Sequence, residues 1–183
     1  KEALGYYKRL EKNASSKTTR DQAGLGILRS ANELKEYNTV ASTANTLLAS
    51  NQGVEATNEI LYYRAKAYLA LGEKAKAAAD LEKLSQDTRT SFGAEAKYLL
   101  ADYHYSENQN SKAKVVINEY VKAGTPHPYW LAKSYILMSD ILAGEGDYLQ
   151  ARQYLESLKN NYPNTDDDIH RTIQERLTIL EKK

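Results

Sequence analysis

The sequence predicts an all-α chain of stacked helix pairs, the α-solenoid class. Two observations carry this. Small or apolar anchors, Leu28, Ala65, Ala101 and Ser139, recur every 36 to 38 residues, a period at which each unit buries its faces on its neighbours. Between them, segments of helical apolar spacing alternate with breaks of a few residues, too short to join anything but antiparallel neighbours.

The elements follow in order. Over 1–14, Ala3, Tyr7 and Leu10 lie at helical spacing, like the second helix of a pair whose first helix precedes the sequence. The first unit (21–50) has helices over 22–34 and 37–49, broken near Lys35-Glu36. The second (58–86) has 58–71 and 74–84, broken at Gly72-Glu73. The third (94–123) has 94–107 and 111–121, broken at Asn108-Gln109-Asn110. The fourth (129–163) has 129–143 and 148–160, broken over 144–147. Gly and Asn suit these breaks because they tolerate the left-handed conformation that ends a helix. Connectors separate the units at 50–57, 87–93 and 124–128, the last barred from helix by Pro126 and Pro128. After Pro163, a capping helix over 165–182 is announced by Thr165 and Asp168, spaced as a capping box, and ends in charged residues that suit a terminal unit. No Gly/Ser linker divides the array, so 1–183 reads as one solenoid domain. The C-terminal helix looks like a natural end and the N-terminal one like a cut.

Composition narrows the function. Hydrophobic residues make up 42% and charged residues 27%, enough for a packed core. Lys and Arg (25) balance Asp and Glu (24) with the signs interspersed, which argues against a nucleic-acid or anionic-membrane surface. No apolar run approaches the roughly 20 residues of a membrane span. Without cysteine there are no disulfides, zinc–thiolate sites or thiol nucleophile. The three histidines, His104, His127 and His170, lie far apart and lack a second histidine one helical turn away. His104 with Glu107 is a carboxylate–histidine spacing that could ligate a metal, but the histidine fills an aromatic slot more simply. Gly24-Leu25-Gly26 follows no strand, so it is no phosphate loop. Asp166-Asp167-Asp168 is explained by capping. The serines have no readable triad partners. The acidic residues scatter over solvated faces. The expectation is therefore a non-enzyme with no catalytic residue, cofactor or metal.

The pattern resembles the tetratricopeptide repeat. In that family small residues mark where the two helices of a unit cross, and apolar residues fill the seam. The fourth pair fits best, with Tyr135, Met138, Ser139, Leu142, Tyr148, Ala151, Leu155, Leu158 and Pro163. The second also fits, with Leu61, Ala65, Tyr68, Gly72, Ala77, Leu81 and Leu84. The third keeps Leu100, Ala101, Ala113, Ile117 and Tyr120, but has His104 at the usual aromatic place and Asn110 where Tyr is common. The first has Leu28 and Val40 at its two small places, which would push the helices apart or shift the register toward Ala41. The spacing above 34 and the closing Tyr162-Pro163 look more narrowly like bacterial envelope members, similar to the outer-membrane assembly lipoprotein and the TolA-binding coordinator. That analogy implies a periplasmic or envelope location, which the residues alone leave unknown.

The resemblance implies a right-handed superhelix whose first helices line a concave groove for a peptide or helix of a partner protein. Carried over, the groove residues are Leu25, Arg29, Glu59, Tyr62, Lys66, Glu95, Tyr98, Asp102, Tyr105, Lys133, Ile136 and Asp140, flanked by Gln22, Asn32, Leu69 and Ala143. Tyr62, Tyr98 and Tyr105 would be the anchors, or would merely cover the seam. The charged residues would set register. The carboxylate clamp of chaperone-cofactor members is missing, since Leu25, Arg29, Tyr62 and Lys66 occupy the comparable places. Trp130, beside Tyr129, is read as a staple at the start of its helix, with an edge contact as the alternative. The competing function is a spacer or cap in a longer array. The chain is then a monomer, or self-associates through Ala3, Tyr7 and Leu10.

Overall fold

The computed structural model describes residues 1–50 and 53–183. Among them the chain forms ten helices and no strand: α1 (Glu2–Asn13), α2 (Lys17–Glu33), α3 (Tyr37–Ala49), α4 (Val54–Ala70), α5 (Lys74–Leu84), α6 (Ser91–Ser106), α7 (Asn110–Ala123), α8 (Pro128–Gly144), α9 (Tyr148–Asn161) and α10 (Ile169–Leu180). The class is all-α, an α-solenoid of helix–turn–helix repeats. Where the sequence reads as one domain, the helices gather into two compact units, Lys1–Leu84 and Ser85–Lys183. In the first, α1 packs on α2, and α4 rests on both α2 and α3. In the second, α8 rests on α6 and α7, and α10 on α8 and α9.

The first helix of every pair starts earlier than the sequence suggests, at 17, 54, 91 and 128 rather than 22, 58, 94 and 129. The extra turns are largely solvated, as Lys17, Thr18, Val54 and Glu55 show, so they leave no apolar periodicity to read. Local signals start α2, α6 and α8 instead. Ser16 Oγ accepts the amide of Thr19 at 3.0 Å and Thr90 Oγ1 that of Gly93 at 3.0 Å, while Pro128 opens α8 at a position where no amide is needed. Residues 54–57, expected in a connector, are helical as well, with no side-chain cap before them. Asn51 and Gln52 of that connector lie outside the described residues.

All four first helices end in one way. Lys35, Gly72, Asn108 and Gly146 have φ of 58°, 77°, 59° and 87°, and the next residue's amide reaches back over the last turn. Glu36 donates to the Ala31 carbonyl, Glu73 to Tyr68, Gln109 to His104 and Asp147 to Leu142, at 2.8–2.9 Å. This 6→1 bond closes orphan carbonyls and reverses the chain within three or four residues. The breaks recur at the anchor spacing because each anchor sits seven residues before one.

The anchors occupy the helix crossings. Leu28, Ala65, Ala101 and Ser139 are at most 1% exposed, and Val40, Ala77, Ala113 and Ala151 are fully buried. In the fourth pair the approach is close enough for Ser139 Oγ to donate to the Ala151 carbonyl at 2.9 Å, a buried hydroxyl satisfied by the facing backbone. In the first pair the register does not shift. Val40 is fully buried and Ala41 8% exposed, matching Ala77 and Ala78 at 0% and 6%. Glycines in α2 let side chains of its neighbours approach closely. A Cβ at Gly24 would stand 2.8 Å from a Leu47 methyl of α3, and one at Gly26 would fall onto the Tyr7 ring of α1.

Two expectations are corrected, and the packed side of α1 is defined. The acidic residues are not all solvated. Asp80 of α5 is 2% exposed and takes Arg64 Nε and Nη2 of α4 at 2.7 and 2.6 Å, while Arg64 Nη1 donates to Asn45 of α3 at 2.7 Å. On α1 the buried apolar side chain is Leu4, with Tyr7 half-buried over Gly26 and Ala3 exposed, because α1 turns the Leu4–Tyr7 side to α2. The Thr165–Asp168 capping box does not form. The helix begins at Ile169, so Thr165 lies too early, and Asp167 Oδ1 accepts the Ile169 amide at 3.0 Å instead.

Candidate interaction surface

The residues assigned to a groove fall on α2 and α4 in the first unit and on α6 and α8 in the second. In the first unit, Arg29 and Glu59 meet each other. Nε and Nη2 of Arg29 donate to the two carboxylate oxygens at 2.5 and 2.7 Å, and this bidentate bond holds the guanidinium pKa above its usual value. Two residues expected to face a partner thus bridge consecutive first helices. Leu25 packs half-buried on the core. Tyr62 sits edge-on to Tyr63 at 5.5 Å. Lys66 lies one turn on, its ammonium 5.3 Å from the Tyr62 ring centroid and 3.4 Å from the Tyr62 hydroxyl.

In the second unit, Tyr98 of α6 stacks on Trp130 of α8, with centroids 5.7 Å apart and planes 26° from parallel. Tyr129 meets Trp130 edge-on at 4.9 Å. Lys133, one turn after Trp130, holds its ammonium 5.9 Å from the Tyr98 centroid and 3.8 Å from Asp168 at the start of α10. Asp140, two turns further, accepts Arg176 Nε of α10 at 2.7 Å. Burial, and after it the nearby charges of Asp102, Asp140 and Asp168, push the Tyr98 hydroxyl up to about 12. Glu95 is 9% and Ile136 5% exposed, so both face inward, whereas Asp102 and Tyr105 are half-buried on the face.

The structure therefore brings Tyr98, Lys133 and Asp140 onto one side of the second unit and places Tyr105 on the same helix, two turns from Tyr98. Tyr62 and Lys66 belong to the first unit. The sequence reading missed Trp130, Asp168 and Arg176 as members of this face. Trp130 was legible, since it precedes Lys133 by one helical turn. The α10 residues were not, because nothing in sequence says which side of a capping helix meets α8. His104 Nδ1 lies 3.1 Å from Gln109 Oε1, across the turn that ends α6.

A family model, Tetratricopeptide repeat, matches residues 59–87 and 129–165. Both segments are similar to tetratricopeptide repeats. They are the second and fourth pairs, the two whose seam residues fit closest, and the other two carry the departures at Leu28, Val40, His104 and Asn110. No curated protein and no solved structure matches the chain. Tetratricopeptide repeats generally mediate protein–protein interaction as non-catalytic scaffolds. Among the described residues, no helix is long and apolar enough to cross a membrane.

Proposed function

We propose that this chain is a non-catalytic interaction module whose first-helix faces receive a peptide or helix of a partner protein. The observation that carries it is the Tyr98–Trp130 stack. It is a rigid, half-buried aromatic pair laid across consecutive first helices, of the residue types that dominate interface hot spots at low entropic cost. Tyr105 supplies a further anchor on the same unit, and Tyr62 one on the first unit's own face. Capture from native lysate tests the reading, comparing wild type with Tyr62→Ala/Tyr98→Ala/Tyr105→Ala at equal helicity. Tyr62→Ala/Tyr105→Ala, which leaves the stack intact, serves where the triple variant loses helix. A protein held by wild type and lost by the variant supports a recognition face.

A second reading, a spacer or cap with no ligand on this face, draws on the ion pairs. Arg29–Glu59 and Asp140–Arg176 spend face charges on neighbouring helices of the same chain. Equal capture by both proteins, or none by either, favours it. The repeat spacing and Tyr162-Pro163 extend the proposal to a bacterial cell-envelope setting. Recovery of the native protein with the soluble cytoplasmic fraction alone would count against that.

A further inference from the structure

Charge that balances over the whole chain is unbalanced in its first helix and turn. Residues 1–20 hold six cations, Lys1, Lys8, Arg9, Lys12, Lys17 and Arg20, against two acids, Glu2 and Glu11. The stretch is net +4 and the rest of the chain net −3, within a total of +1. All six cations are exposed. Lys17 is paired to Asp21, and Arg20 donates to the Ala14 carbonyl at 3.2 Å, which keeps its guanidinium at the α1–α2 turn. Among the described residues, no ion pair joins Lys8, Arg9 or Lys12 to an acid.

Helical phase, about 100° per residue, sorts the solvent side of α1 into two stripes. Lys8 and Lys12 fall together with Arg9 beside them, whereas half-buried Glu11 shares the packed side with Leu4. Like charges one turn apart weaken a helix, and Gly5, on the same stripe, weakens it further. Packing does not demand that glycine, since a Cβ there would meet only Arg9 Nη1, at 3.8 Å. Beyond Glu2 and Asn13 runs an apolar stripe of Ala3, Tyr6 and Leu10. Tyr6 is 56% exposed, Ala3 is exposed and Leu10 half-buried. Neither stripe is satisfied by α2, the helix on which α1 packs.

We infer that this side of α1 docks on a membrane surface that carries anionic lipid. Headgroup phosphates receive Lys8, Arg9 and Lys12, while Tyr6 and Leu10 enter the boundary between headgroups and acyl chains. The cation stems lie along that boundary with their charges in water. Nucleic acid would meet the cations but has no apolar layer for Tyr6 and Leu10, so the two adjacent stripes favour lipid. The assignment does not depend on the interaction face of α6 and α8.

The purified chain is sedimented with vesicles of phosphatidylcholine alone and of phosphatidylcholine mixed with phosphatidylglycerol. Binding is expected to the mixed vesicles only, weakening roughly tenfold as salt rises from about 0.05 to 0.5 M. Lys8→Gln/Lys12→Gln should lower it roughly thirtyfold. Lys182→Gln/Lys183→Gln, with the same change in net charge, should leave it unaltered. Tyr6→Ser, which keeps every charge, should lower it roughly fivefold. The variants are compared at equal far-UV dichroism. Equal binding to neutral vesicles, none to mixed ones, or equal loss in the two lysine variants overturns the assignment. Unchanged binding by Tyr6→Ser also overturns it, since the apolar stripe would then take no part. Tighter binding to a duplex oligonucleotide than to the mixed vesicles overturns it in favour of nucleic acid.

Discussion

At the scale of single residues, Lys35 is the one helix-ending position whose side chain suits neither its backbone nor its neighbours' precedent. Gly72 and Gly146 take positive φ freely and Asn108 tolerates it, but Lys35 at φ 58° brings its Cβ against the following carbonyl. Lys35→Gly should therefore stabilise the first unit by about 1 kcal/mol, visible as a higher denaturation midpoint at unchanged slope. Tyr98 sets an alkaline limit. Its folded pKa of about 12 lies above the unfolded value near 10, so the fold favours the neutral phenol. That contribution is whole below pH 10 and is lost as pH rises from 10 through 12. Tyr162, whose hydroxyl donates to Asp167, is likewise raised to about 12. Alkaline unfolding followed by dichroism should be shallower in Tyr98→Phe, and an identical profile would contradict the assignment.

At the scale of elements, two contacts decide how helices of the first unit dock. Arg64 ties α4 to Asp80 of α5 and Asn45 of α3, with side chains 17% and 3% exposed at the ion pair. Asp80→Asn would leave a largely buried guanidinium without its counter-charge and should cost about 3 kcal/mol, whereas Arg64→Met/Asp80→Leu together should be far milder. A double variant as unstable as the single would mean the pair does more than neutralise itself. Gly26 sets the α1–α2 approach. Ala there would gain about 1 kcal/mol in helix propensity but meets the Tyr7 ring. A net loss of about 1–3 kcal/mol is expected. Adding Tyr7→Ala should remove most of the further cost of Gly26→Ala, which chemical denaturation of the four proteins in a cycle measures.

At the scale of the whole molecule, the question is which faces remain open to another protein. α1 covers α2 with Leu4 and Tyr7 but leaves Tyr6 56% exposed and Ala3 open to solvent. If that side self-associates, size-exclusion elution should move earlier with concentration, and Tyr6→Lys should abolish the shift. Elution that stays constant points to a monomer. At the other end, α10 turns Ile169, Ile173, Leu177 and Leu180 inward and places Asp168 and Arg176 beside α8. The capping helix thereby contributes to the proposed face as well as closing the core.

What the sequence determined by itself was the repeat. Leu28, Ala65, Ala101 and Ser139 recur because each sits buried at a helix crossing, where three of the four are small, and Lys35, Gly72, Asn108 and Gly146 recur because the same turn ends each first helix. Such signals are local or strictly periodic, so they survive without knowledge of the partner surface. The solvated first turns at 17–21 and 54–57 were not legible, since no buried face marks them. Tertiary structure alone decided that Gly26 makes room for Tyr7, that Asp80 is buried with Arg64, and that Arg29 bonds Glu59. It also decided that Tyr98 meets both Trp130 and Lys133. Each depends on which side chains from distant positions meet across packed helices. Helical periodicity says which residues share a side of one helix; only packing says what that side touches.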